Sequence, residues 1–399
     1  MHSPHTQKVL LVKYGEIALR KGNRAHFEHR LLDAIRHNLK TEIAQDHLQV
    51  TREQGRFLIA HPTGDIDYHQ ILPKIQHIFG LTSFCLAIKA QTHDINALKA
   101  IGLAFYKQHV TTPKSFKVNT KRSDKNYPLL SGEVSAQIGG AIFEDPSTQA
   151  TVNLHQPDVT LWVELRNATY FYMESTKGTG GLPYGSSGQG IVLLSGGFDS
   201  PVAAYLTARR GVEITGIYFH SPPFVSDRAL DKVKDLAREL TKFTGKINLY
   251  SIPFTPVQLF LKDNTPPEKL TILLKRAMLH IATALAEKEN AHALITGDSI
   301  GQVASQTMQS LAAVDSAAHT VVLRPLAIYD KQDIIDIAKA IGTYPISLRP
   351  YDDCCTLFVP KHPENKPSKK AIEKLESRLI QQLQPLMDTA LAQAQLFSL

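Results

Sequence analysis

Six consecutive residues, Ser195-Gly196-Gly197-Phe198-Asp199-Ser200, bring together two hydroxyls, two glycines and a carboxylate. Ahead of them, Ile191-Val192-Leu193-Leu194 reads as a short buried strand. Behind them, Pro201–Arg210 reads as a helix with proline in its first turn and Gly211 just past its end. A strand end, a glycine turn and a helix N-terminus leave free N–H groups and the positive end of the helix dipole facing one point, which suits an anion. The glycines let the backbone approach phosphate oxygens closely, and Ser195 and Ser200 add hydroxyl donors. The run is neither a Walker A loop nor Gly-x-Gly-x-x-Gly. A bare glycine turn is the competing reading, and the full run in its strand–helix setting argues against it.

Other residues could also carry chemistry. Cys354 and Cys355 are the only thiols of the C-terminal half and could pack, bind metal, or take part in persulfide or disulfide chemistry. The metal reading is poor, because no Cys-x-x-Cys or nearby histidine set completes it and His362 alone does not. Cys85 lies in a strand-like run and reads as core. Lys331, after Tyr329-Asp330, falls on the first turn of a helix. Lys121, Arg122 and Lys125 cluster at the end of a strand that carries Lys117 on one face, where a solvated surface is the plainer reading.

These residues need elements to hold them. The 399 residues can bury two or three cores, and 43% hydrophobic with 20% charged content fits a globular protein. No run of eighteen apolar residues spans a membrane, no signal peptide opens the chain, and three cysteines make no disulfide framework. A cytoplasmic setting follows as the expectation. A net charge of +7 permits a polyanionic partner.

A strand at Val9–Lys13, a helix carrying Phe27, Leu31, Ala34, Ile35 and Leu39, two strands around Gln54-Gly55 and a helix from Tyr68 to Phe79 suit a ferredoxin-like α+β module. A second α/β unit follows from residue 61 to 166. In its strand 115–122, alternation sets Phe116 and Val118 against Lys117 and Asn119. Residues 177–190 are glycine-rich and read as a linker or mobile loop. Beyond them, strands at 213–220, 247–254, 293–297 and 321–326 alternate with helices at 226–243, 270–290 and 330–341. Repeated βα units imply an open, doubly wound parallel sheet, whose ligands bind at the carboxyl ends of strands. That rule selects Leu193–Ser195, Tyr218-Phe219-His220 and Thr296-Gly297-Asp298.

Ser-Gly-Gly-Phe-Asp-Ser resembles the pyrophosphate (PP) loop of the ATP pyrophosphatases, which adenylate a carbonyl oxygen. Phe-Lys-Val-x-x-Lys-Arg (116–122) with Pro-Asp-Val-x-Leu-x-Val-Glu (157–164) resembles the THUMP domain, an RNA-binding module of tRNA-modifying enzymes. With Lys13-Tyr14-Gly15-Glu16, the run Gly301–Thr307, Leu323-Arg324-Pro325-Leu326 and Tyr329-Asp330-Lys331, nearly the whole chain resembles the tRNA 4-thiouridine synthetases (tRNA sulfurtransferases, also called thiamine biosynthesis proteins). With no cysteine after Cys355, it resembles the shorter form that lacks a rhodanese domain. Some members of that family also serve formation of the thiamine thiazole.

The resemblance implies an α/β multidomain chain: a ferredoxin-like domain at 1–60, a THUMP domain at 61–166, a linker at 167–190 and a PP-loop domain with a helical tail at 191–399. It implies that ATP adenylates the C4 oxygen of uridine at position eight of tRNA, and that persulfide sulfur then displaces AMP. ATP would meet Leu193, Leu194, Ser195, Gly196, Gly197, Ser200, Tyr218, Phe219, Lys275, Arg276, Gly297 and Gln306. Asp199 would act through Mg²⁺, Lys331 on the phosphates, and Cys355 or Cys354 in sulfur transfer. Alignment of Cys-Thr-Leu-Phe favours Cys355, and the spacing from Lys331 favours Cys354. Lys117, Lys121, Arg122 and Lys125 would bind tRNA, and no metal is held by a protein centre of its own. A cysteine desulfurase or other persulfide donor and a homodimer complete the expected partners. Two alternatives, a PP-loop ligase or amidotransferase acting on a small molecule and a non-catalytic RNA-binding protein, each leave half the chain unexplained.

Overall fold

The computed structural model describes residues 6–19, 22–45, 47–53, 55–63, 66–123, 127–351 and 364–399. The chain forms two compact units that divide between Gly181 and Leu182. In the first, the order is β1 (Thr6–Tyr14), α1 (Arg24–Asn38), α2 (Lys40–Ala44), β2 (Gln49–Glu53), β3 (Arg56–Ala60), α3 (Tyr68–Ile75) and β4 (Leu81–Ala90). It continues with α4 (Ile95–His109), β5 (Ser115–Arg122), α5 (Ser131–Phe143), β6 (Thr151–Val152), β7 (Val159–Leu165), β8 (Thr169–Tyr172) and β9 (Thr176–Lys177). Phe27, Leu31 and Ile35 give α1 the apolar stripe read from its spacing, and all three are buried.

One sheet runs through both expected modules, in the order β2-β3-β1-β4-β8-β7-β5-β6, with β9 also paired to β4. β5 and β7 are parallel, and β7 and β8 antiparallel. Residues 169–172, assigned from the sequence to the linker, are instead a fully buried strand. Thr-Tyr-Phe-Tyr is a strand-forming run whose faces both find cores: Tyr170 and Tyr172 pack with Leu11 and Cys85, and Phe171 packs with Leu98 and Ile138. The glycine-rich stretch that follows is docked rather than free. Gly178 N donates to Thr82 O at 2.9 Å and Gly180 N to Leu81 O at 2.7 Å. A Cβ on Gly178 would lie 2.4 Å from the Leu81 carbonyl oxygen, so only glycine fits there.

The second unit comprises β10 (Gln189–Leu193), α6 (Asp199–Arg209), β11 (Glu213–His220), α7 (Asp227–Thr244), β12 (Asn248–Pro253), α8 (Thr255–Asn264) and α9 (Pro267–Lys288). Then come β13 (Ala293–Ile295), α10 (Met308–Asp315), β14 (Val321–Leu323), α11 (Lys331–Ala340), α12 (Tyr344–Ser347), α13 (Lys369–Ala392) and β15 (Gln395–Ser398). Its sheet runs β14-β13-β10-β11-β12-β15. The first five strands are parallel, and β15 joins β12 antiparallel, beyond the helical tail that the sequence reading ended on. The core lies between this sheet and α8, α9 and α13, and includes Ile217, Phe254, Leu273, Ala277, Ile281, Leu294 and Leu383. After Gly301 the chain makes only a 3-10 turn over Ala304–Gln306, and α10 starts at Met308 behind a Thr307 cap on Ser310 N at 3.1 Å.

Candidate active site

β10 delivers the chain to the loop read from the sequence. Leu194 N donates to Ile217 O at 2.9 Å, which holds the loop's entry on β11. The two serines bind each other: Ser195 N donates to Ser200 Oγ at 2.8 Å, and the two hydroxyl oxygens are 3.1 Å apart. In this state they close the loop on itself. Gly297, after β13, backs directly onto the start of α6. A Cβ there would lie 2.8 Å from Ser200 N and 2.9 Å from the Asp199 carbonyl carbon. Gly197 is different. A Cβ on it would meet nothing nearer than Ser195 Oγ at 3.6 Å, so no neighbour demands the glycine and the space beside it is open.

Asp199 is the first residue of α6. Its Oδ1 is buried and has no hydrogen-bond partner among the described residues. Burial raises its pKa, while Lys331 and a hydrogen bond with Gln302 lower it and Asp298 raises it further. Lys331 opens α11, is exposed, and carries its Nζ 5.6 Å from the centroid of Phe198, a loop residue. A withdrawn carboxylate oxygen with no donor suits a hard cation such as Mg²⁺, because an oxygen ligand is what that ion takes. Among the described residues no group of three or more His, Cys, Asp or Glu could hold a metal by itself.

A second carboxylate, Asp298, is fully engaged. Lys275 Nζ donates to its Oδ1 at 3.0 Å, Gln306 Nε2 to the same oxygen at 3.1 Å, and Thr296 Oγ1 to Oδ2 at 2.8 Å. Arg324 Nε lies 3.4 Å from Oδ2 while its other nitrogens bind Asp315 at 2.8 and 2.5 Å. Burial would raise the Asp298 pKa, but Lys275, Thr296 and Arg324 together bring it down to about 2. Asp298 was placed at a strand end from the sequence but given no role. Gln302 and Arg324 were missed as partners, since only the fold brings them to the carboxylates.

Three assignments change. Arg276 is buried and donates to both oxygens of Glu376, to Ala313 O and, at 2.7 Å, to Ser316 Oγ. With His280 also on Glu376 at 3.2 Å, it ties α9 to α10 and α13 and has no side chain to offer ATP. Its neighbour Lys275, one residue round the helix, faces the strand end. Phe219 packs into the core against Phe254 at 4.9 Å, whereas Tyr218 lies on the opposite face of β11, stacked with His220 at 6.0 Å. Ser195 and Ser200 are mutually bonded rather than free donors. Cys354 and Cys355 lie outside the described residues. The chain just before them is anchored, with the buried Lys232 donating to Arg349 O at 2.8 Å.

In the first unit, Lys117 and Lys121 alternate with core residues along β5 as expected. Lys121 is exposed, with its Nζ 5.0 Å from the centroid of Trp162. Arg122 points elsewhere: it clamps Tyr127 O at 2.9 Å and Leu129 O at 2.6 Å, which fits a structural role. Lys125 lies outside the described residues. Glu164, from the Pro-Asp-Val phrase, is buried and receives Lys13 Nζ at 2.8 Å, Tyr172 OH at 2.6 Å and Arg56. Burial would raise its pKa, yet Arg56 and Lys13 hold it well below the usual carboxylate range.

Comparison with known proteins places these features. Residues 9–85 match the ThiI ferredoxin-like domain, 92–174 the THUMP domain and 185–380 the thiamine biosynthesis protein (ThiI) family. The protein named "Probable tRNA sulfurtransferase" of Lachnoclostridium phytofermentans is 43% identical over 385 residues, spanning 96% of this chain and 97% of that relative. The chain belongs to the tRNA sulfurtransferase family. A second tRNA sulfurtransferase, from Agathobacter rectalis, is 42% identical over 389 residues, covering 96% and 97% of the two chains. A solved 4-thiouridine synthetase–RNA complex with bound ATP superposes with a TM-score of 0.84 at 35% identity, covering 98% of this chain and 100% of that one. The fold expected of a tRNA sulfurtransferase, with ferredoxin-like, THUMP and PP-loop parts, is the fold observed. No described helix is long and apolar enough to cross a membrane.

Proposed function

We propose that this chain uses ATP to replace the C4 oxygen of a uridine in tRNA, at position eight, with sulfur. The observation that carries the reading is the 195–200 loop. It has room for a side chain's first carbon beside Gly197, a helix N-terminus behind it, and Asp199 presenting a buried oxygen that no group among the described residues satisfies. Family membership supports the same chemistry.

The uracil oxygen attacks the α-phosphorus of ATP, the α–β phosphoanhydride breaks, and pyrophosphate leaves. The α6 N-terminus and the loop N–H groups hold the departing phosphates. Lys331 stabilises the charge that builds on them. Mg²⁺, when bound, neutralises phosphate charge, and Asp199 is the residue placed to hold it. The terminal sulfur of a persulfide then attacks C4 and AMP leaves, and a second thiol cleaves the resulting disulfide, so that 4-thiouridine is released and the carrier and resolving cysteines end as a disulfide. Cys355, with Cys354 beside it in sequence, receives that sulfur or resolves the product. The partners in this reading are tRNA, a cysteine desulfurase or other persulfide donor, and a second copy in a homodimer, in the cytoplasm. Lys117 and Lys121 contribute to holding the RNA.

The test is pyrophosphate release from ATP with and without unmodified tRNA, followed by assay of 4-thiouridine with a desulfurase and cysteine. We expect tRNA-dependent release in wild type and in Cys355→Ser, with thiolation only in wild type. A chain that releases pyrophosphate equally without tRNA, or a Cys354→Ser/Cys355→Ser variant that thiolates at the wild-type rate, overturns the corresponding step.

A further inference from the structure

We propose that Asp298 is a positioning residue for ATP, holding the Lys275 ammonium and the Gln306 amide beside the 195–200 loop. This rests on the ATP reading above. The architecture does not need the carboxylate to close its turn: Thr296 N already bonds Leu323 O at 3.1 Å, and Gly301 N bonds Gln306 O at 3.0 Å. Instead, Asp298 gathers one donor from α9 (Lys275), one from the 3-10 turn (Gln306) and one from β13's end (Thr296). The residue before it, Gly297, packs on the backbone of Asp199 and Ser200, so the cluster adjoins the loop.

The electrostatics support a functional placement. A second carboxylate near Asp199 makes ionisation of Asp199 harder, so Asp298 sits there against a repulsion. What it supplies in return is a defined place for the Lys275 ammonium. With Nε2 of Gln306 committed to Asp298, the buried Oε1 of that amide is left as an acceptor without a partner among the described residues. Lys275 and Gln306 therefore meet a nucleotide in fixed orientations, and the ordering cost is met before binding.

The test measures equilibrium ATP binding and tRNA-dependent pyrophosphate release for the full chain, for Asp298→Asn, Lys275→Met and the double variant. Asp298→Asn should weaken ATP binding and raise KM about tenfold, the scale of one charge-assisted hydrogen bond, while kcat stays within about twofold. The double variant should lose less than the sum of the two single losses, because part of the Asp298 effect passes through Lys275 and the rest through Gln306. A merely structural role predicts additive losses and a kcat that falls with KM. Either result, or wild-type ATP affinity in Asp298→Asn, overturns the inference. If Asp298→Asn does not fold, Thr296→Val, which removes one hydrogen bond from the carboxylate, takes its place with an expected loss of about threefold. Wild-type chain that binds ATP without releasing pyrophosphate removes the activity reading, yet the cycle is still decided by binding. Failure of wild type to bind ATP overturns both.

Discussion

The two units each bury a carboxylate beside cations, and they treat it in opposite ways. Glu164 in the first unit has Arg56, Lys13 and Tyr172 around it. Asp199 in the second keeps an oxygen that no group among the described residues satisfies. A buried charge that is fully paired holds an architecture together, and removing a partner is costly. One left short of a partner is poorly suited to stability and well suited to a ligand. The pKa directions agree: Glu164 is held low by its partners, and Asp199 is pushed up by burial.

The sharpest way to break this contrast is Asp199→Asn. It should cut tRNA-dependent pyrophosphate release by about a hundredfold or more. The variant should melt at or above the wild-type temperature, because a desolvated charge has been removed. Retained activity together with a lowered melting temperature would make Asp199 another Glu164.

Glu164→Ala should instead cost about 3–5 kcal/mol, because Arg56 and Lys13 lose a buried counter-charge. Trp162, the single tryptophan of the chain, pairs across β7 and β8 with Tyr172, whose hydroxyl donates to Glu164, and reports denaturant unfolding of this unit by fluorescence.

A pH series sharpens the comparison at smaller amplitude. Glu164 has a lowered folded pKa, so its stabilisation is present above the ordinary value of about 4.3 and is lost as pH falls toward the folded one. Glu164→Gln should flatten that acid loss in the fluorescence melt. Asp199 has a raised pKa, so its ionised form destabilises the fold at neutral pH. The acid limb of pyrophosphate release should then lie above the ordinary aspartate value of 3.8. A limb at or below that value would contradict the desolvated site.

The smallest effect is expected on the RNA-side lysines. Lys117→Glu and Lys121→Glu should weaken tRNA binding and each reduce the salt slope by about one, whereas Arg122→Glu should chiefly lower thermal stability through its lost carbonyl clamp. Equal salt slopes in wild type and both lysine variants would place the RNA on other residues.

Much of this was legible before the fold was seen. The strand–loop–helix around Ser195–Ser200 is local in sequence, so periodicity and turn chemistry expose it. The parallel sheet followed from alternating strands and helices, and the rule of strand carboxyl ends picked out Gly297 and Asp298, of which Gly297 packs against the loop's end. Lys275 and Arg276 could not be separated, because adjacent helical residues diverge in direction and only packing tells which faces the core. The Glu164 network was invisible for a related reason. Its cationic partners come from β1 and β3, more than a hundred residues away in sequence. β8 was hidden by its four-residue length beside a run of glycines, and β15 by its brevity after a long helix.

The shared sheet of the first unit has a practical consequence for dissecting the chain. The ferredoxin-like match stops at residue 85, inside β4, and the THUMP match starts at residue 92, after that strand has ended. A fragment cut at those borders would sever β4 and strip β8 of its pairing to Ile88, Lys89 and Ala90. The excised piece would carry a bare row of N–H and C=O groups along an aromatic strand, the template on which chains stack into aggregates. Sequence homology marks two modules here, but scissors respecting the hydrogen bonds would find only one.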